Sequence, residues 1–518
     1  MSERLPASPA LVGLAAGLAL FFWGDALPLA PLPQLLGLAV FAELAFLRPD
    51  LALLFVPLTA PLYLIPAALP GLRAVPLRLP LHEVALLITL AATAARWALS
   101  ARRSMVNVQR SPFNLQRFNA QTFKRYLPHA LLLLAGVFGV LLAVPEGRAA
   151  ALREFRWLIV EPLVFYALLR RALDERRTMQ AADWDARWSL VSAFVLGGVL
   201  VAALGLLQFA GLDLVPLLGE KQSFSENVVA AGPARRVASV YGHPNNLGLY
   251  LGRVWPLAAV LALLQRATHD ARRTTHDSVH ASTDGWSLVV GRRSLVIDRW
   301  SFVFGLASFV CLMGILVSFS RGAWLAALTA AGVLAFGLAR SAALGRRSSA
   351  VGRWSFVTVA ALAVVAGLAL MLRGGPGGGS LDARVLLWRE AMELIRMHPL
   401  GLGLDQFYYY HNPEFGRSII APSLIGTSEQ YASHPHNLVL DAWLNVGPLG
   451  LVALAWLVAR GVRAGIRALR REPDLITLGA LAALAAGLVH GVVDVFYFVE
   501  DLALVFWLLL ALLEGEER

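Results

Sequence analysis

Apolar residues arrive along this chain in long blocks separated by short polar or basic stretches. Residues 127–144, 190–210, 302–319 and 356–372 run essentially without charge. Each is about 17–21 residues long, enough for a helix to cross a hydrocarbon core of about 30 Å. A buried helix in a large soluble core explains one such run but not a dozen. Read in this way, the pattern predicts about fourteen spans, at 10–28, 33–48, 51–69, 82–99, 127–144, 155–171, 189–210, 247–265, 302–319, 322–339, 355–372, 437–459, 475–493 and 497–513. Asp25 and its neighbouring prolines also allow the first two to form one re-entrant pair, which leaves twelve. The expected fold class is all-α, a polytopic membrane helical bundle of about 12–14 spans.

Charge orients the spans. Arg102, Arg103, Arg110, Arg117, Lys124 and Arg125 fill the loop after the fourth span, and Arg170, Arg171, Arg176 and Arg177 follow the sixth. Further basic clusters follow the eighth (Arg266, Arg272, Arg273, Arg292, Arg293, Arg299), the tenth (Arg340, Arg346, Arg347, Arg353) and the twelfth (Arg460, Arg463, Arg467, Arg470, Arg471). They alternate with less basic loops, and all fall inside if the N-terminus is cytoplasmic. That orientation makes both termini cytoplasmic in the cell (inner or plasma) membrane. Three segments then face outward: 211–246, the turn at Ser320-Arg321, and 373–436.

The last of these is too long for a connector. It opens with a flexible GGPGGGS stretch, and DARVLLWREAMELIRMHP then predicts an amphipathic helix. Val385, Leu386, Trp388, Met392 and Ile395 make its apolar face, Arg384, Arg389, Glu393 and Arg396 its polar one, and Asp382 is its expected N-cap. This suggests four parts: N-terminal spans with a basic loop (1–126), a central bundle (127–372), the extracytoplasmic loop (373–436) and C-terminal spans (437–518). The inward stretch 266–300 looks like polar filler.

Composition adds less. The chain is 58% hydrophobic with a formal charge of +11, and the charge sits in the loops, so it reports topology and implies no nucleic-acid partner. The single cysteine, Cys311, lies in a span and can form no intramolecular disulfide. The N-terminal MSERLPASPA lacks the pattern of a cleaved signal peptide, and the first span is expected to remain as an anchor.

The outward segments collect Arg235, Arg236, His243, Asn245, Asn246, Arg321, Arg384, Arg389, His411, His434, His436 and Asn437. Basic groups gather there although the topology rule predicts few. Arg321, in LVSFSRGAWLAAL, is placed between two spans with almost no loop. An arginine at membrane depth is costly and is usually paired or functional, and its planar fork can hold a phosphate with two hydrogen bonds. Snorkelling to lipid headgroups is the plainer alternative. Arg235 and Arg236 are candidates for an anionic ligand, whereas His243 and Asn245 equally suit a turn into a helix. His434 and His436 form a His-x-His pair, but no third metal ligand stands at a telling spacing. One of them can instead accept a proton from a hydroxyl near neutral pH. His436, next to Asn437 and an apolar helix, is the candidate base. Pro435 restricts the preceding residue and is expected to turn His434 elsewhere.

RVLLW (384–388), HPLGLGLDQF (398–407) and HPHNLVLDAWLNVGPLG (434–450) together resemble the core block of the O-antigen ligase and O-antigen polymerase superfamily. Arg321-x3-Leu325 is similar to the ligases' Arg-x3-Leu motif, His436-x10-Gly447 to their His-x10-Gly motif, and GHPNNLG to an early family block. Each motif is weak alone, and their order and common outward placement carry the resemblance. It implies a membrane glycosyltransferase that moves a glycan from a polyprenyl diphosphate carrier to a sugar hydroxyl, by inversion and without metal, cofactor or nucleotide. It implies His436 as the catalytic base. Arg321 and Arg235 or Arg236, with Arg384, would hold the diphosphate. The implied partners are the lipid-linked donor, a glycan or glycolipid acceptor and membrane lipid. A polysaccharide polymerase fits the same residues. A transporter of the superfamily's bicarbonate type is the alternative from another class. It would place ionisable groups such as Glu43, Glu161 or Asp494 around a midplane pocket.

Overall fold

The computed structural model describes residues 6–27, 29–69, 78–104, 120–178, 185–214, 236–275, 285–290, 293–343 and 380–515. The helices are α1 Ala7–Trp23, α2 Leu32–Leu47, α3 Pro49–Ala52, α4 Phe55–Thr59, α5 Leu81–Ser104, α6 Ala120–Leu142, α7 Arg148–Phe155, α8 Glu161–Thr178, α9 Ala186–Phe209, α10 Pro244–Thr275, α11 Arg299–Val317, α12 Arg321–Ala343, α13 Ser380–Met397, α14 Phe407–His411, α15 Leu438–Arg471, α16 Leu475–Gly491 and α17 Glu500–Leu513. The protein is an all-α polytopic membrane bundle. Seven of the described helices (α5, α6, α9, α10, α11, α12 and α15) are long and apolar enough to cross a membrane, and shorter apolar helices cover 7–23, 32–47, 49–62 and 475–491. The expected span at 355–372 lies outside the described residues.

Short polar side chains start several of these helices. Asp185, Asn437 and Asp474 each accept hydrogen bonds from two backbone N–H groups of the first turn that follows them. α10 is the axis of the bundle: its apolar stretch is 83% buried, against 28% for α5 and α6. It packs against α9, α11, α12 and α16. α8 is joined to α7 through one π-turn, Arg156–Val160, the kind of helical irregularity that often marks a functional position.

Two expectations are corrected here. The stretch 266–300 is not filler throughout. α10 continues to Thr275, and Gly285–Val290 pairs antiparallel with Arg293–Asp298, Gly285 opposite Asp298. Trp286 and the β-branched Val289, Val290, Val296 and Ile297 are residue types that favour such a pair. The amphipathic helix exists as α13 but begins at Ser380, so Asp382 lies in its first turn rather than at its cap. Its faces are also rotated from the expected ones. Leu387, Ala391 and Leu394 are buried, Met392 is exposed, and Arg384 is turned partly inward. With Leu402, Phe407, Leu424, Ala432 and Leu444 the buried face of α13 forms a second, smaller core, which makes 380–436 a packed lid over one end of the bundle.

The lid is tied down at a kink in α15. Gly447 has φ 66° and ψ −176°, a region open essentially to glycine, and a Cβ there would collide with the Leu400 carbonyl. Pro448 follows and has no N–H to donate to the carbonyl of Leu444, one turn back. Leu402 N–H and Gly403 N–H take that carbonyl instead, at 2.8 and 3.1 Å. Gly401 (φ 95°) and Gly403 (φ 111°) let the chain lie this close. The HPLGLG stretch and the distant Gly447 are therefore two halves of one contact.

Candidate functional site

The site forms where the lid meets the ends of α10, α12, α15 and α16, and its hub is Asp494 in the loop between α16 and α17. Asp494 is 2% exposed. Its Oδ1 lies 3.0 Å from His436 Nδ1 and accepts the Val495 N–H at 2.9 Å. Its Oδ2 accepts from Asn245 Nδ2 at 3.0 Å and from Arg384 Nη2 at 3.3 Å. Burial pushes this carboxyl up, but His436 and Arg384 outweigh it and hold it well below the usual carboxylate range. Asp494 is thus a fixed negative charge at any physiological pH.

His436 sits just before α15 at φ 50°, a left-handed backbone uncommon outside glycine. Trp388 Nε1 donates to its carbonyl at 3.2 Å, and the neighbouring Asn437 caps α15 through Val439 N–H and Leu440 N–H while donating to Val492 O at 3.0 Å. These bonds hold the imidazole with Nδ1 toward Asp494. Nε2 lies 3.9 Å from a Glu429 carboxylate oxygen, and the side chain keeps 24% of its exposure. An ionised carboxylate on Nδ1 favours the tautomer with the proton there, which leaves the partly exposed Nε2 as the basic nitrogen.

Arginines surround this pair. Arg236 donates through Nη2 to Asn245 Oδ1 at 3.1 Å and through Nε to Ser318 O at 3.2 Å. Burial, then the positive charge of Arg384 and Arg321, lowers its pKa, so both of those guanidinium groups lie near enough to be felt at Arg236. Arg321 opens α12 and is exposed. Beside it, a Cβ on Gly322 would lie 2.6 Å from His490 Nε2, so glycine is what lets the Arg321 turn approach α16. His243 accepts the Asn245 N–H through Nδ1 at 3.1 Å, and burial draws its pKa down to about 4, so it is a neutral acceptor that shapes the turn into α10. Arg235 lies outside the described residues.

His434 goes elsewhere. Its Nδ1 lies 3.5 Å from Asp441 Oδ1. Burial pulls the ring down, but Asp441 and Asp405 outweigh it and raise the pKa to about 9. A ring already protonated at neutral pH cannot accept a proton there. The two histidines of the His-x-His pair thus face different carboxylates and do not converge on one point.

The sequence-predicted residues Arg236, Asn245, Arg384 and His436 are brought together, with Arg321 close enough to act on Arg236; His243 and Asn437 support them and His434 stands apart. Asp494 was met in the sequence only as one of several scattered acids. An acid in an otherwise apolar stretch, GLVHGVVDVFYF, was the available signal.

Residues 306–455 match the family model described as O-antigen ligase. The match covers less than half of the chain and supports its resemblance to the O-antigen ligase and polymerase superfamily. Arg321, Arg384, His436 and Gly447 fall inside the matched segment, while Arg236, Asn245 and Asp494 come from outside it. No curated protein matches the chain.

Proposed function

Taking that match as the premise, we propose that the protein is a glycosyltransferase of the O-antigen ligase or polymerase type, which moves a glycan from a polyprenyl diphosphate to a sugar hydroxyl. The observation that carries this reading is the His436–Asp494 pair set among Arg236, Arg321 and Arg384. The acceptor hydroxyl gives its proton to His436 Nε2. Its oxygen attacks the anomeric carbon from the side opposite the lipid diphosphate. The carbon–oxygen bond to the diphosphate breaks, and the electron pair leaves with the phosphate oxygen. Configuration at the anomeric carbon inverts. Asp494 holds the ring and stabilises the imidazolium that forms. The guanidinium groups neutralise the charge that builds on the leaving diphosphate, where fixed donors lower the barrier most. All the groups this chemistry needs come from side chains, and no metal is asked for. Ligase and polymerase share this donor half and differ in the acceptor.

The test is transfer by the purified protein from a defined lipid-linked donor. His436→Ala should lower the rate by about 10²–10⁴-fold, the usual contribution of a general base, with donor binding retained. His434→Ala should cost far less. Equal losses at both positions, restored by added divalent metal, would replace the base with a metal site.

The lid is assigned to the extracytoplasmic face of the cell membrane, with both termini cytoplasmic, on the alternation of basic loops. In a Cys311→Ala background, a cysteine replacing Ser380 should react with an impermeant thiol reagent in intact cells, and one replacing Ser104 should not. The reverse pattern would turn the molecule over.

A further inference from the structure

A second polar centre lies within the bundle, built by helices remote in sequence. His82 and Glu83 start α5, Glu161 starts α8 directly after the π-turn, and Glu500 starts α17. His82, Glu161 and Glu500 are 0%, 5% and 4% exposed. One donor atom from each lies within 4.8 Å of the others. His82 Nε2 and Glu500 Oε1 approach to 2.7 Å without the alignment of a hydrogen bond. Neither ring nitrogen of His82, neither carboxylate oxygen of Glu500, and not Glu161 Oε1 has a hydrogen-bond partner among the described residues.

Neighbouring charge does not remove the need for a partner. Arg156 pairs with Glu83 and Trp157 Nε1 donates to the same carboxylate at 3.3 Å, so that acid is satisfied. Arg156 Nε reaches Glu161 Oε1 only at 3.5 Å. Among the described residues, one guanidinium then stands beside the three acidic side chains of Glu83, Glu161 and Glu500. Ionised carboxylates are costly to leave buried and unpaired, so such a group is held by protons or by a cation. Lone pairs from one imidazole and two carboxylates that converge without bonding one another are the donor set of a divalent transition metal.

We propose that His82, Glu161 and Glu500 bind one divalent transition-metal ion of the Zn²⁺ or Mn²⁺ class. Metal–ligand distances of about 2.0–2.2 Å put neighbouring donors about 3.3–3.6 Å apart in a tetrahedral site, so the His82–Glu500 pair opens from 2.7 Å by roughly 0.6–0.9 Å on binding. Three protein ligands leave a fourth position for water. The ion ties the start of α17 to α5 and α8. Beside that point Tyr497 Oη donates to Leu158 O at 2.5 Å, and Arg253 Nη2 donates to Phe496 O at 2.7 Å. The loop that carries Asp494 is thereby clamped at its α17 end, away from the lid. The ion takes no part in the proposed transfer.

The experiment uses the full chain, purified in detergent through a tag without histidines, stripped with chelator, reloaded separately with Zn²⁺, Mn²⁺, Mg²⁺ or Ca²⁺, and desalted. Metal content and thermal unfolding are measured. Wild-type protein should retain about one equivalent of Zn²⁺ or Mn²⁺ and unfold at a higher temperature when loaded. His82→Ala and Glu500→Gln should each lower retention about tenfold or more, while His434→Ala and His436→Ala keep it. Wild-type protein that retains no metal and shows no shift in unfolding overturns the site without reference to any variant. Retention that survives both ligand substitutions, or that is lost with His434→Ala and His436→Ala, places the metal elsewhere and also overturns it. Since neither readout is transfer, failure here leaves the glycosyltransferase reading standing, and the converse holds.

Discussion

The two polar centres share one short segment, 494–500, and answer opposite electrostatic demands. At its first residue Asp494 is a single carboxylate ringed by His436, Asn245 and Arg384, with Arg236 and Arg321 beyond. At its last, Glu500 is one of three carboxylates near one guanidinium and one imidazole. The first centre has a surplus of positive charge and a partly exposed ring, which suits an anionic substrate that comes and goes. The second gathers more acidic side chains than basic ones among the described residues and is closed, which suits a small cation that stays. Proximity in sequence therefore says little about role. The helix end each residue meets decides the sign of its surroundings.

The comparison is most sharply tested at the segment itself. Asp494→Asn keeps size but loses the charge that fixes the His436 tautomer, and transfer should fall by about 10²–10⁴-fold with donor affinity little changed. Glu500→Gln should cost transfer less than about tenfold and show mainly as lost thermal stability. Equal loss of transfer at both positions would mean that the centres work as one.

Arg321→Lys comes next. It keeps the charge but loses the two-pronged hydrogen bond, and transfer should drop by about tenfold or more with unchanged expression. Full activity would reduce Arg321 to a point charge or to a lipid-facing residue.

Gly447→Ala addresses the strap that holds the lid centre in place. The backbone conformation alone costs a non-glycine residue about 1–3 kcal/mol, and the collision with Leu400 adds to it. A lower unfolding temperature together with reduced transfer is expected. Unchanged stability would show that the kink is not needed to seat the lid.

The smallest effect is at His434. Its pKa is raised from 6.5 to about 9, so its stabilisation is complete below about pH 6.5 and is lost as pH rises through about 9. His434→Gln should lower the unfolding temperature by about 2–4 °C at pH 6 and by much less at pH 10. An equal effect at both pH values would mean that packing, rather than its charge, is what His434 contributes.

Much of this was legible in the chain. Blocks of uncharged residues long enough to cross a bilayer announce helices, because a backbone in hydrocarbon must satisfy its own hydrogen bonds. The order of Arg321, Arg384, His434-x-His436 and Gly447 marked the lid centre. The face presented by α13 was less legible. A helix with apolar residues on more than one side can bury either, and the neighbouring strap at 402–407 selected Leu387, Ala391 and Leu394 over Met392.

The sequence by itself determined the all-α membrane class, the main apolar helices, the existence of a structured segment after the GGPGGGS stretch, and which residue types could serve an anionic substrate. These follow from local composition and periodicity, which need no partner. Only the tertiary structure decided that Asp494, 58 positions from His436, is what the ring faces, and that Asp441 takes His434 instead. It alone gathered His82, Glu161 and Glu500 from three helices, and showed that Gly447 and HPLGLG meet at one freed carbonyl. The physical reason is common to all three. A buried charge, an orphaned lone pair or a carbonyl released by proline must find a partner, but any helix end within reach can supply it, and no spacing along the chain says which one folds against it.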